Sequence, residues 1–216
     1  MLARMCVHGL ANSAAHRIAH WVNHGVAMED ILLKLVAPVA LYLDGMWDQD
    51  SVDFPQISLG LMRLQQITHQ LGHLYHARPR FSAGARRILI ASPPGSQHLL
   101  GLSIVAEIFR KDGWQVVAEI ADTQTTLLNR VGSEWFDLVG LSVCLTEQLA
   151  SVPALVAQLK HSSKNREVSV ILGGSAFLGS DAQGLEFGAD AISADAQDAV
   201  MLGNLLVDNA FGGYVS

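Results

Sequence analysis

The sequence predicts an all-α bundle of four helices followed by an α/β domain built on a five-stranded parallel sheet. Three observations carry that reading. Apolar residues recur at three- and four-residue spacing up to about residue 71. From Arg87 onward, short β-branched runs alternate with amphipathic stretches. Between the two regimes lies ARPRFSAGARR, which holds Arg78, Arg80, Arg86 and Arg87, Pro79 and Gly84, and no acid. We read residues 1–76 as the bundle cap, 77–85 as a basic linker and 86–216 as the sheet domain.

In the bundle, Ala11–Asn23 and Met28–Ala37 have the helical period. Pro38 starts or kinks a third helix, Val39–Trp47. Asp53 is an N-cap for a fourth, with Pro55 in its first turn and Ile57, Leu61, Leu64, Ile67 and Leu71 on one face. Short loops between four helices imply an antiparallel bundle.

In the second region, strands are expected at Arg87–Ala91, Trp114–Ile120, Asp137–Val143, Val168–Leu172 and Asp190–Ser193. Helices are expected at Leu99–Lys111, Thr123–Val131, Glu147–Lys160, Asp181–Phe187 and Ala196–Val207. Strict alternation of this kind builds a parallel sheet covered on both faces. Right-handed crossovers make it flavodoxin-like, with strand order 2-1-3-4-5. Ligands on such sheets bind beyond the carboxyl ends of the strands.

Composition narrows the function classes. Half of the 216 residues are apolar and the net charge is −6, which opposes disorder and a DNA-coating surface. Cys6 and Cys144 form no CxxC, so a reducing cytoplasm fits better than a disulfide framework. No apolar run is long enough to span a membrane, and no signal-peptide layout is evident. No helix-turn-helix is left over, so direct sequence-specific DNA binding is not expected. Nine histidines stand out, because histidine is both a metal ligand and a pH switch.

Three features fall at carboxyl ends of expected strands. The first strand runs into Ser92-Pro93-Pro94-Gly95-Ser96-Gln97-His98-Leu99-Leu100-Gly101. The third ends on Leu141-Ser142-Val143-Cys144, and the fourth on Gly173-Gly174-Ser175. Each has a bland reading as a polar loop, a satisfied hydroxyl or a tight turn. Their joint occurrence in this order is far more specific.

The pattern resembles the cobalamin-binding domain of methionine synthase, mutases and light-responsive regulators. In that family a His in an Asp-x-His-x-x-Gly loop ligates cobalt, and the displaced nucleotide tail enters a slot beside the sheet. Carried over, the resemblance makes His98 the lower axial cobalt ligand and lets Gly101 bring the loop close to the corrin. Ser142 would bond the tail, and Gly173 and Gly174 would border its slot. Ser96, Gln97, Leu99, Val143 and Ser175 join the cofactor-binding set as neighbours in these motifs. Ser96 stands where the family has its Asp, so it can orient an imidazole without adding charge. SPPGSQHLLGL looks closest to the Pro-Pro-Gly-x-x-His-x-x-Gly loop of the CarH and LitR photoreceptors. In the cap, the Gly45-Met46-Trp47 element and Phe54 resemble residues placed over the upper corrin face. Asp48 follows where the adenosyl-binding photoreceptors have His, and the stretch through Phe54 to Gly60-Leu61-Met62-Arg63-Leu64-Gln65 is similar to the AerR/PpaA group.

That resemblance implies a non-enzymatic cobalamin sensor responsive to light or redox state. Its partner would be a transcriptional repressor of the CrtJ/PpsR type, which it would antagonise. It leaves open the hydroxo-, methyl- or adenosyl form of the cofactor, and it allows a homo-oligomer. Two alternatives stay beside it: a corrinoid shuttle protein of a methyltransferase system, and a heme sensor on the same fold. The remaining histidines include two helical trios, His69/His73/His76 and His16/His20/His24. His69 and His73 are candidate upper axial ligands; the plain alternative is that polar helix faces carry histidine.

Overall fold

The computed structural model describes residues 2–8, 11–45, 54–75, 84–96, 99–178 and 184–212. The chain divides into two compact units, Met1–Arg78 and Pro79–Ser216. No described helix is long and apolar enough to cross a membrane.

The first unit is helical. It contains α1 (Leu2–Val7), α2 (Ala11–Asn23), α3 (Met28–Ile31), a π-helical turn (Leu32–Val36), α4 (Ala37–Gly45) and α5 (Phe54–Tyr75). Two expectations are corrected here. Helix α1 is too short to show a period, yet it buries Leu2, Ala3 and Cys6. Its last carbonyls, those of Cys6 and Val7, accept hydrogen bonds from the Arg63 guanidinium at 2.6 and 2.9 Å. Pro38 does not separate two helices. The chain stays helical from Met28 to Gly45, and it widens just before the proline, where the Ala37 N–H donates to the Leu32 carbonyl five residues back. The wider turn is the way a helix absorbs a residue that lacks an N–H and crowds the preceding turn. The unit's core is Ala14, Ile18, Ile31, Leu32, Val36, Leu43, Ile57, Leu64 and Ile67. The expected Asp53 cap and most of the linker lie outside the described residues.

The second unit is an all-parallel sheet in the order β2-β1-β3-β4-β5. Its strands are β1 (Arg87–Ala91), β2 (Gln115–Glu119), β3 (Leu138–Ser142), β4 (Ser169–Gly173) and β5 (Ala191–Ile192). The helices are α6 (Leu99–Lys111), α7 (Gln124–Ser133), α8 (Val152–Ser162) and α9 (Ala196–Gly212). Some ends differ from expectation for visible reasons. Trp114 precedes β2 because it packs edge-on against Phe109 and donates its indole N–H to Asn204 at 3.2 Å. Asp137 precedes β3, its carboxylate accepting the Arg87 backbone N–H at 2.7 Å. The helix expected from Glu147 begins as a 3₁₀ segment, Thr146–Ser151, and becomes α-helical where Pro153 fits the first turn of α8. The helix expected over Asp181–Phe187 is, in its described part, a 3₁₀ turn, Gly184–Phe187.

Side-chain alternation assigns the two faces of the sheet. Leu89, Ala91, Val139, Leu141, Val143, Val170 and Leu172 form one apolar core with residues of α7 and α8. The intervening residues face α6 and α9. Gly203 of α9 sits so close to Leu138 that a Cβ there would lie 2.8 Å from its Cδ2.

Candidate functional site

The carboxyl ends of the strands differ from the rest of the sheet on the α6/α9 face. Ile88 and Ile90 of β1 fill that face, and two-residue alternation puts Ser92 next. On β3 the same face carries Leu138, Gly140 and Ser142, and on β4 it carries Ser169, Ile171 and Gly173. Pairing of Ala91 with Leu141, Ser142 with Gly173 and Leu172 with Ile192 fixes the register. One step beyond, the row across four strands reads Ser92, Ser142, Gly173, Ser193. Each large side chain of the lower rows is replaced by a hydroxymethyl group or a hydrogen atom.

The row has no room for substitution at its centre. A Cβ on Gly173 would lie 2.7 Å from Ser193 Oγ. Gly101, in the first turns of α6, faces Ser142, whose Oγ would be 3.8 Å from an added Cβ. Gly174 has a φ of +109°, and a side chain there would meet the Val143 carbonyl oxygen at 2.2 Å. Only glycine tolerates that backbone and that contact. The Val143 N–H donates to Gly173 O at 2.7 Å, and the Ala176 N–H donates to Val143 O at 3.1 Å. The Val143 side chain itself belongs to the α7/α8 core. Ser175 donates its hydroxyl to Cys144 O at 2.9 Å, fixing the loop after β4 against the loop after β3.

The loop after β1 folds as its sequence dictates. The Ser96 N–H donates to Pro93 O at 3.1 Å, with Gly95 at φ +79°. Proline in the second position and a left-handed glycine in the third make a type II turn. The hydroxyls on either side of this turn, Ser92 Oγ and Ser96 Oγ, are buried and have no hydrogen-bond partner among the described residues. Helix α6 then starts at Leu99, which is half-buried. Beside β5, Asp195 Oδ1 accepts the N–H groups of Gln197 and Asp198 at 2.8 and 2.9 Å and so caps α9.

Of the residues expected at the site, the structure brings Ser96, Leu99, Gly101, Ser142, Gly173, Gly174 and Ser175 to this end of the sheet, with Val143 contributing backbone. Gln97, His98 and Trp47 lie outside the described residues, as do the side chains of Phe54 and His73. His69 is on the exposed side of α5. In the other trio, the His24 ring nitrogen Nδ1 is 2.7 Å from His20 O. No group of three or more His, Cys, Asp or Glu among the described residues can hold a metal ion. Sequence reasoning missed Ser92 and Ser193 as site residues. The signal was present at Ser92, two places after Ile90 in a strand where that face is otherwise apolar. At Ser193 it was weaker, since β5 is only two residues long.

Comparison with known proteins gives three findings. Residues 86–202 match the B12 binding domain family. The chain is 29% identical over 171 residues to an uncharacterized 20.5 kDa protein in the bchF-crtJ intergenic region of Rhodobacter capsulatus, covering 79% of this chain and 88% of that one. Its fold is similar to that of the Methanosarcina barkeri monomethylamine corrinoid protein, with a TM-score of 0.73, 19% identity, and 93% and 94% of the two chains covered.

Proposed function

This chain belongs to the B12-binding domain family, and we propose that within it the protein is a cobalamin-binding sensor, responsive to light or redox state, that acts as an antirepressor on a transcriptional repressor. The observation that carries the cofactor reading is the row Ser92–Ser142–Gly173–Ser193. A sheet packed with apolar side chains on one face and reduced to serine and glycine at one end of the other puts its smallest and most polar residues where a nucleotide tail would lie. Gly101 and Gly173 add no side chain at that end, Gly174 lets the loop after β4 close on the Val143 backbone, and the unpaired hydroxyls of Ser92 and Ser96 offer hydrogen bonds to a polar guest.

The residues present therefore fit a corrinoid. Ser142 would bond its tail, Gly173 and Gly174 would border it, and the loop through Ser96 would carry His98 to the cobalt. The corrinoid itself would supply a cobalt centre whose axial ligands change with light or redox state. The chain's own part is to hold the tail, to orient the imidazole through a neutral hydroxyl where relatives use a carboxylate, and to exclude water from the slot. Support for the regulatory part is the relative from the bchF-crtJ intergenic region, which places that protein's gene beside one whose name matches the repressor implied by the motifs.

Absorption spectroscopy of the purified protein, reconstituted with cobalamin in the dark and then illuminated, tests the reading. A corrinoid spectrum that changes on illumination or reduction is expected, and His98→Ala should shift it. A Soret-dominated spectrum in the purified protein would assign heme instead. Rapid methylation and demethylation of bound cob(I)alamin would assign a methyltransferase shuttle. For the second half, the cobalamin-loaded protein should release a CrtJ-type repressor from its operator in a gel-shift assay without binding the DNA itself.

A further inference from the structure

We propose that Ser92 is a cofactor-binding residue whose hydroxyl holds the nucleotide tail of the corrinoid beside Ser142, so that the slot distinguishes tailed from tailless corrinoids. The inference rests on the cobalamin reading above and extends it to a residue that the Pro-Pro-Gly-x-x-His-x-x-Gly pattern does not include.

The hydroxyls of this molecule divide into those already used and those that are not. Thr68 donates to Leu64 O at 3.0 Å, Ser103 to Leu99 O at 2.9 Å and Ser193 to Leu172 O at 3.1 Å. Each is a structural hydroxyl satisfied by a nearby carbonyl. Ser92 is as buried as these, at 4% exposure, yet its Oγ has no partner among the described residues. Ser142 is 8% exposed, and its Oγ approaches only Cys144 Sγ, at 3.9 Å. Buried polar groups are rarely left unpaired, and one that is unpaired in a native fold points to a missing partner.

Position says what that partner is. Ser92 follows Ala91, which pairs with Leu141, so Ser92 is the register neighbour of Ser142. Two-residue alternation continued past Ala91 puts Ser92 on the α6/α9 face that also carries Ser142, where Gly101 and Gly173 add no side chain. A tail of phosphate, ribose and heterocycle offers several oxygen and nitrogen acceptors across that width. One unpaired hydroxyl and one held only by a distant thiol, one strand apart, suit such a group, and an apolar guest would leave the Ser92 hydroxyl unsatisfied.

Titration of the full-length protein with cobalamin and with cobinamide, which has the corrin but no nucleotide, tests this. Ser92→Ala should weaken cobalamin binding about tenfold, the worth of one hydrogen bond, and leave cobinamide binding unchanged. Ser92→Thr keeps the hydroxyl and should retain the preference for cobalamin. Ser103→Ala, whose hydroxyl is spent on the Leu99 carbonyl, should change neither ligand's affinity more than about twofold. Equal losses for both ligands, no loss for either, or failure of Ser92→Ala to fold would overturn the proposal, since each makes the hydroxyl structural or idle. If the unsubstituted protein binds neither corrinoid, the cobalamin reading itself falls, and this inference falls with it.

Discussion

The two faces of the sheet are built from the same five strands and solve opposite problems. Toward α7 and α8, every row from Leu89 to Val143 is apolar, and aromatic side chains such as Phe136 and Phe177 close the gaps. Toward α6 and α9, packing is equally tight at the amino end, where Phe109, Trp114 and Leu138 meet the helices. It stops at the carboxyl end, where Ser92, Ser142, Gly173 and Ser193 replace it. One face therefore holds the fold together, and the upper part of the other carries small and polar side chains instead. Stability and binding should separate along that boundary when residues are changed.

The largest expected effect is on the packed face. Leu172→Ala removes a fully buried side chain and should cost about 2–5 kcal/mol in urea unfolding. The corrinoid spectrum of the folded fraction should be unchanged. Across the sheet, Gly173→Val should do the reverse. Its branched side chain would collide with Ser193 Oγ and block the slot. Cobalamin affinity should fall on the order of 100-fold, while overpacking costs about 1–3 kcal/mol in the same unfolding assay. A loss of stability without a loss of binding would remove Gly173 from the slot.

The cysteines report on the same boundary more gently. Cys6 is buried in the helical unit, and burial pushes its thiol pKa up, partly offset by the Arg63 charge. Cys144 is partly exposed at the end of β3. A thiol reagent at neutral pH should label Cys144 well before Cys6, and cobalamin should slow the labelling of Cys144 only. The smallest effect belongs to the amino-end clamp. Arg87 and Arg130 pair with Glu134 at 2.8 and 2.6 Å and hold its carboxyl below the usual range. A lowered folded pKa stabilises at neutral pH and is lost as the pH falls through it. Thermal melts of Glu134→Gln should therefore show a shallower acid loss than the parent, with cobalamin binding untouched.

How much of this was legible depended on the period of each feature. Strands of five residues with β-branched runs announce themselves, and alternation with amphipathic helices then leaves few topologies. Chemistry at strand ends was legible where short motifs cluster, as in Pro93-Pro94-Gly95-Ser96 and Gly173-Gly174-Ser175. The slot as a row was not, because its members come from four strands and become neighbours only through register. Ser193 illustrates the point: nothing local marks it, and its place against Gly173 is a product of pairing. Short elements also escaped. Six residues of α1 cannot show a 3.6-residue period, and whether Pro38 breaks or widens a helix depends on packing on both sides of it.

That widened turn sets an angular phase. Each residue in an α-helix rotates the chain by about 100°, and a turn closed five residues back rather than four stores roughly one residue more than a regular helix would. Closing Leu32–Val36 as a regular α-helical turn with all its residues kept would turn α4 on its axis by nearly that angle. Leu43, now fully buried, would leave the core, and the exposed Leu41 and Tyr42 would swing toward it. The turn before Pro38 thus works as a dial, set by how its hydrogen bonds close, that decides which side of the following helix is sealed and which is presented to the surroundings.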